Sequence, residues 1–405
     1  MSKKLMSTLY QICKYIPQNL VPQLARKYGV HKKSRTFTPW SHVVSMLYAH
    51  LGHCLSLNDV VDGLRLHSGY LKAIRHAVAP SRNGLSYANM NRDADMAEEL
   101  FWSVLEHLKQ LNPRFGYGHG YAGLPRRFKR TINIIDSTTI RLAINCIDWA
   151  THRRRKAAVK AHVNLNIQTF LPSVVVLGKA AQHDSTKVRT LCAGMKAGEI
   201  MVADKAYVKF KYLHELAERG IFWVLRAKDN MKYKIISQKE SNNERILCDA
   251  EIQLTVDQTF QDYPQSFRLI RAIVKVNNQD KIMTFITNNM QWAPSSICDL
   301  YKSRWAIEVF FKQMKQTLQL KDFLGNSENA VRWQIWTAML ACILLRFIKD
   351  VAKWTGSFTR LFTCVRAALW CRADLYELLR TCLRRRTKPR PEQIYLPGFE
   401  PGVLL

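Results

Sequence analysis

The chain has 405 residues, with 61 Lys and Arg against 31 Asp and Glu and a formal charge of +30. An apolar fraction of 47% excludes a disordered basic tail protein, and the length suggests two or three domains with ample chain for a core. A charge this large on a globular protein implies a polyanionic partner, DNA or RNA by default and a membrane surface as the weaker alternative.

The first residues, Met1-Ser-Lys-Lys-Leu-Met-Ser-Thr, lack the apolar stretch and cleavage site of a signal peptide. Residues 1 to about 115 read as helical. Apolar positions recur at helical spacing through Leu9, Ile12, Ile16, Leu20 and Leu24, interrupted by Pro17 and Pro22. A second helix is expected over Trp40–Leu51. Ser56-Leu-Asn-Asp59 is a capping-box start with Asp in place of the usual Glu. Ser86 is expected to cap a helix running through Met90 to Leu108. Short helices joined by a turn such as His53–Ser56 are compatible with a helix-turn-helix DNA module.

Gly116-Tyr-Gly-His-Gly-Tyr-Ala-Gly-Leu-Pro125 is a flexible break and the expected domain boundary, followed at once by Arg126-Arg-Phe-Lys-Arg130. Strand-like patterns then begin: Thr131–Ile135, Ala161–Ile167 alternating in period two, and Ser173–Leu177. A helix over Ser185–Met195, a strand over Glu199–Ala203, a helix over Tyr207–Arg219 closed by Gly220, and a strand over Ile221–Leu225 complete a mixed α/β layer. Residues 228 to about 280 read as a β-rich insertion. Ile282–Thr287 returns to the core. Residues 330–382 read as helical and apolar. Ile335–Ile348 is too short to span a bilayer and carries Arg346, so it reads as a buried helix, and no membrane partner is expected. Arg384–Arg390 is expected to be an exposed basic tail touching phosphates. The ten cysteines form no C-x-x-C pair and read as small buried hydrophobes in a reducing cytosol, Cys364 and Cys371 among them.

Tyr301-Lys-Ser-Arg304-Trp-Ala-Ile-Glu308-Val-Phe-Phe-Lys312-Gln-Met-Lys315 is the most telling stretch. At about 100° per residue, Tyr301, Arg304, Glu308, Lys312 and Lys315 share one helix face, and Ile307, Phe310, Phe311 and Met314 lie opposite. One lone carboxylate among cations and a phenol suits a metal ion held against a phosphodiester. A solvated helix with an i,i+4 pair is the plain alternative. Asp136 and Asp204 each end a hydrophobic strand and begin a polar turn, the edge where open α/β sheets bind ligands. If those strands are neighbours, the two carboxylates converge, and Glu308 supplies a third oxygen ligand.

These residues resemble the DDE transposases of the bacterial insertion-sequence IS4 family. The family's helix signature Y-(2)-R-(3)-E-(6)-K is matched by Tyr301, Arg304, Glu308 and Lys315, and the two aspartate motifs by Ile-Ile-Asp136-Ser-Thr and Val-Ala-Asp204-Lys-Ala-Tyr. The resemblance covers roughly residues 126–350. It implies an RNase H-like mixed sheet flanked by helices, with the β-rich insertion, an all-α N-terminal domain over 1–125, a catalytic domain over 126–350, and a helical, basic region over 351–405. Asp136, Asp204 and Glu308 are then the catalytic triad and ligands of two Mg²⁺ ions, which Mn²⁺ could replace. Tyr301, Arg304, Lys312 and Lys315 are then phosphate contacts. Implied partners are double-stranded terminal inverted repeats, target DNA and a second copy of the chain, in a bacterial cytoplasm at the nucleoid. A structure-specific nuclease or an inactive DNA-binding descendant are the alternatives. The tryptophan that some members use to stack a flipped base is missing near Lys281–Thr287; Trp292 lies a few residues on. His162, His183 and Asp184 could approach the site, His152-Arg-Arg-Arg-Lys156 could track a DNA backbone, and Trp305 is expected to pack at the helix border.

Overall fold

The structure, a computed structural model, describes residues 6–32, 34–117, 128–142, 146, 150–153, 156–179, 184–276, 279–318, 320 and 323–383. The expected basic tail at 384–390, most of the glycine-rich break, Arg126, His183 and the middle of the 152–156 basic run lie outside the described residues.

Helices come first: α1 Thr8–Cys13, α2 Leu20–Lys27, α3 Pro39–Gly52, α4 Leu57–Leu66, α5 Ser68–Ala73, α6 Arg82–Asn91 and α7 Asp95–Leu111. The capping box forms as expected. The Ser56 hydroxyl accepts from the Asp59 N–H at 3.2 Å, and Asp59 accepts from the Leu55 and Ser56 N–H groups. Ser56→Ala should cost about 1 kcal/mol. A urea unfolding curve should show this as a lower midpoint; an unchanged midpoint would mean that α4 unfolds outside the cooperative unit. The expected cap at Ser86 is corrected. Ser81 caps α6 through the Gly84 N–H, and Ser86 lies one turn inside. The backbone then leaves helical geometry at Arg92, which separates α6 from α7.

Strands β1 Ile132–Leu142, β2 Thr151–Arg153, β3 Lys156–Asn166 and β4 Leu171–Lys179 are followed by a 3₁₀ turn at Asp184–Lys187 and the short α8, Val188–Leu191. The full helix expected over 185–195 is corrected to this shorter pair; Thr186, Val188, Thr190 and Gly194 all disfavour helix. Next come β5 Ile200–Ala203, α9 Phe210–Glu218 and β6 Phe222–Arg226. Gly220 closes α9 at φ +70°, a left-handed position that suits glycine. The insertion contributes β7 Tyr233–Gln238, β8 Ile246–Leu254, α10 Asp257–Asp262 and β9 Phe267–Val276, and β10 Gln279–Thr287 returns to the core.

The ten described strands form one mixed sheet in the order β2-β3-β1-β5-β6-β10-β9-β8-β7, with β4 on β3. β1, β5 and β6 run parallel, and the insertion extends the sheet through antiparallel pairs. Period-two alternation sorts the side chains. Ile132, Ile134, Val202 and Val224 face one core, which the N-terminal helices share; Ile135, Met201, Trp223 and Leu225 face a second, covered by α8 and α9. Within the insertion, Arg268 and Asp249 form a buried bidentate pair at 2.6 and 2.7 Å.

The chain ends in α11 Pro294–Lys302, α12 Trp305–Lys312, a π-turn at Gln313–Thr317, α13 Glu328–Val351, α14 Phe358–Ala367 and α15 Leu375–Leu383. The 24-residue α13 is long and apolar enough to cross a membrane, but 89% of its apolar window is buried inside the protein, against α3 and α7 among others. Cys364 is half-buried and Cys371 exposed, so the expectation that both lie in the core is corrected.

Candidate active site

Pairing between β1 and β5 ends at Ile135 opposite Ala203. Asp136 and Asp204 are the next residues on each strand, so their backbones leave the parallel pair side by side. Asp204 ends β5 and begins a 3₁₀ turn, Lys205–Tyr207. Asp136 does not end its strand, contrary to expectation. β1 runs on to Leu142 because β3 continues to pair with it, with Ser137 opposite His162 and Thr139 opposite Lys160.

The long helix expected over Tyr301–Lys315 is also corrected. The Ser303 hydroxyl donates to the Leu300 carbonyl, and Arg304 and Ile307 make i→i−3 bonds, so a tight turn separates α11 from α12. Beyond Lys312 the helix loosens into the π-turn, where the Leu318 N–H reaches back to Gln313. Ile307, Phe310 and Phe311 are buried as the pattern requires. Tyr301, Arg304 and Glu308 still face the sheet edge.

There Arg304 joins two acids. Its Nη1 donates to Asp136 Oδ2 at 2.6 Å and its Nη2 to Glu308 Oε1 at 2.7 Å. Tyr301 donates to Asp204 Oδ1 at 2.9 Å. Lys315 donates to the Thr139 carbonyl on β1 at 2.7 Å, while Lys312 is exposed. The three acids are therefore gathered around one guanidinium and one phenol. Of the four expected phosphate contacts, three bond to the protein itself and Lys312 faces solvent.

Burial pushes the Asp136 carboxyl up to about 6, and the charges of Asp204 and Glu308 add to this; Arg304 and the Ser137 N–H oppose it without winning. Burial and the neighbouring Asp204 also push the Tyr301 phenol up, which keeps it a donor. Burial works against the Arg304 charge, but Asp136, Tyr301 and Glu308 outweigh it and raise its pKa. Burial lowers the Lys315 ammonium, with Arg141 adding to the effect.

An aspartate raised in the folded state binds more protons there than in the unfolded chain. Its destabilising effect is absent below the unfolded value of 3.8, grows from there to about 6, and is full above that. Asp136→Asn should therefore stabilise the metal-free protein at pH 8 by on the order of 1–3 kcal/mol and leave it unchanged at pH 3.5. Thermal unfolding at the two pH values checks this; equal shifts at both would contradict it.

Three carboxylates held around Arg304 and Tyr301 are hard oxygen donors suited to a divalent cation. Among the described residues no three His, Cys, Asp or Glu side chains already stand as a ligand cluster, and Arg304 is the cation between Asp136 and Glu308. The residues fit a metal in donor type and charge.

Other sequence candidates lie outside this group. His162 is fully buried, and burial lowers its pKa to about 4. Trp305 is 54% exposed, not packed as expected. Trp292 packs between Phe128 and Phe222. Asp184, expected as a residue that could approach the site, accepts from the hydroxyl of Ser137 at 2.8 Å, and Ser137 carried no expected role. The available signal was a hydroxyl directly after the first acid.

Two acids set side by side where parallel β1 and β5 stop pairing, with a third on a packed helix, fit the DDE class of α/β enzymes. Residues 127–345 match the transposase DDE domain, and the chain belongs to that family. Residues 6–74 match a domain of unknown function, DUF4372. The chain is 30% identical over 230 residues to the "Probable transposase for insertion sequence element IS5377" of Geobacillus stearothermophilus, covering 56% of this chain and 59% of that protein. It is 29% identical over 303 residues to the "Putative transposase y4zB" of Sinorhizobium fredii, covering 74% and 80%. It is 21% identical to "Transposase InsG for insertion sequence element IS4" of Escherichia coli K12, covering 47% and 43%. These relatives place the chain with the IS4-type insertion-sequence transposases.

Proposed function

We propose that the protein cleaves DNA at the terminal inverted repeats of its insertion sequence and joins the freed 3′-hydroxyls to target DNA. The observation that carries this reading is the junction of Asp136 and Glu308 through Arg304, beside Asp204 at the end of the adjacent parallel strand. Asp136, Asp204 and Glu308 would hold Mg²⁺, or Mn²⁺ in its place. Bound there, the metal would activate the attacking oxygen and stabilise the leaving one.

The protein's own groups do the rest. Arg304 balances two carboxylates until a phosphate arrives, then offers the same two N–H groups to it. Tyr301 orients Asp204 and can turn its hydroxyl to a phosphate oxygen. Lys312, already exposed, meets the DNA backbone first. Lys315 fixes β1 beyond Asp136 through the Thr139 carbonyl.

An RNase H-like core is supported by the antiparallel run β4-β3-β1 continuing into parallel β5 and β6. In this reading residues 1–125 hold the DNA ends, 126–350 cut them, and 351–405 add backbone contacts. The net charge of +30 supports double-stranded DNA as the partner. Pairing two ends calls for a dimer on DNA, acting at the bacterial nucleoid.

The test is a labelled fragment carrying the flanking inverted repeats, incubated with and without Mg²⁺. Metal-dependent cleavage at the repeat boundary with a joined product is expected. Cleavage without joining would identify a nuclease instead, and specific binding without cleavage a DNA-binding descendant.

A further inference from the structure

We propose that Asp184 is a positioning residue for the acid cluster, acting through Ser137 to hold the Asp136 carboxylate; this rests on the proposed metal role of Asp136. The contacts form a short chain. One oxygen of Asp184, Oδ1, accepts from the Ser137 hydroxyl at 2.8 Å. The Ser137 backbone N–H donates to Asp136 Oδ1 at 2.8 Å. Arg304 takes the other Asp136 oxygen. Both oxygens of the first acid are therefore directed, one by a cation and one by a peptide whose side chain Asp184 anchors.

Asp184 is itself held in place. Lys160 Nζ lies 2.9 Å from the same Oδ1, and Lys160 sits opposite Thr139 on the neighbouring strand. His162 Nδ1 is 3.5 Å away on a fully buried ring. Both Lys160 and Asp184 have side chains less than a fifth exposed, so their ion pair is shielded from water. The 3₁₀ turn that carries Asp184 packs on the turn that follows Asp204. The Tyr207 ring of that second turn is buried beside Ser137. One carboxylate thus ties the turn before α8, strand β3 and the first acid to the turn bearing the second. β1 is pinned in sequence at Asp136 by Arg304, at Ser137 by Asp184 and at Thr139 by Lys315. A ligand carboxylate needs this kind of outer support to keep its orientation when a cation approaches.

The test uses the full-length protein and Mn²⁺ alone as the probe, followed by electron paramagnetic resonance, with cleavage and end binding measured in parallel. Asp184→Ala and Ser137→Ala should each weaken Mn²⁺ binding by roughly 10- to 100-fold. The double variant should be no weaker than the worse single one, because both break the same chain. End binding in a gel shift should stay within about threefold of wild type, the scatter expected of pairs that do not touch the ligand. Asp184→Asn keeps an oxygen able to accept from both Ser137 and Lys160, so it should restore most of the affinity. Wild-type Mn²⁺ affinity in both Asp184→Ala and Ser137→Ala, or losses that multiply in the double variant, would overturn the proposal. If Asp184→Ala does not fold, Ser137→Ala and Asp184→Asn still decide it. Failure of the underlying reading looks different: wild type itself would then neither bind Mn²⁺ nor cleave.

Discussion

Glu308→Gln is expected to lower end cleavage by at least about 10³-fold, or about 4 kcal/mol of transition-state stabilisation, with end binding intact. Gln keeps the shape and one acceptor oxygen, so the fold should hold. It removes the charge that, with Asp136, is matched to Arg304 at 2.6 and 2.7 Å. In wild type the cluster carries three carboxylates around one guanidinium, which leaves room for added positive charge. In the variant Arg304 and Asp136 already neutralise each other, and Asp204 alone bonds to Tyr301. Metal affinity and cleavage should fall together. Labelled-end cleavage across a Mg²⁺ titration checks this. Cleavage within tenfold of wild type at saturating Mg²⁺ would remove Glu308 from the site.

Arg268→Ala should destabilise the protein by about 3–5 kcal/mol, since removing one partner leaves the Asp249 charge buried and unpaired. The two side chains are 4% and 5% exposed and meet through two hydrogen bonds. Arg268 also donates to the Trp292 carbonyl at 2.6 Å, tying β9 to the segment before α11. The loss is therefore not confined to the insertion. α11 carries Tyr301, so reduced end cleavage should accompany reduced stability. Replacing both partners, Arg268→Met with Asp249→Leu, should recover most of the stability, because no charge is left stranded. Chemical denaturation of the three proteins separates these outcomes; a double variant as unstable as Arg268→Ala would show that packing, not charge, sets the cost.

Much of this was legible from residue order because it depends on neighbours along the chain. The capping box at Ser56 and Asp59, the period-two strands, the apolar side of α12 and the left-handed Gly220 are local consequences of side-chain chemistry. The three acids could be picked out because each sits in a local context of its own. Some of the misread elements were those in which a distant partner overrides local preference. β1 continues past Asp136 because β3 supplies its hydrogen bonds. The helix breaks at Ser303 and loosens after Lys312, although nothing in its apolar spacing marks either place.

The sequence by itself determined which groups were available: three carboxylates, a phenol and several cations, each attached to an element whose type follows from its pattern. Only the tertiary structure decided who meets whom. The parallel register of β1 and β5 sets the two aspartates side by side. Packing α12 on the sheet brings Arg304 between Asp136, 168 residues away from it in sequence, and Glu308, 4 residues away. The Asp184–Ser137 contact spans 47 residues, so the hydroxyl after the first acid could not by itself name its partner. Periodicity reports the environment of a single element, whereas a site is made by charges from several elements that find one another only after the core has set their register.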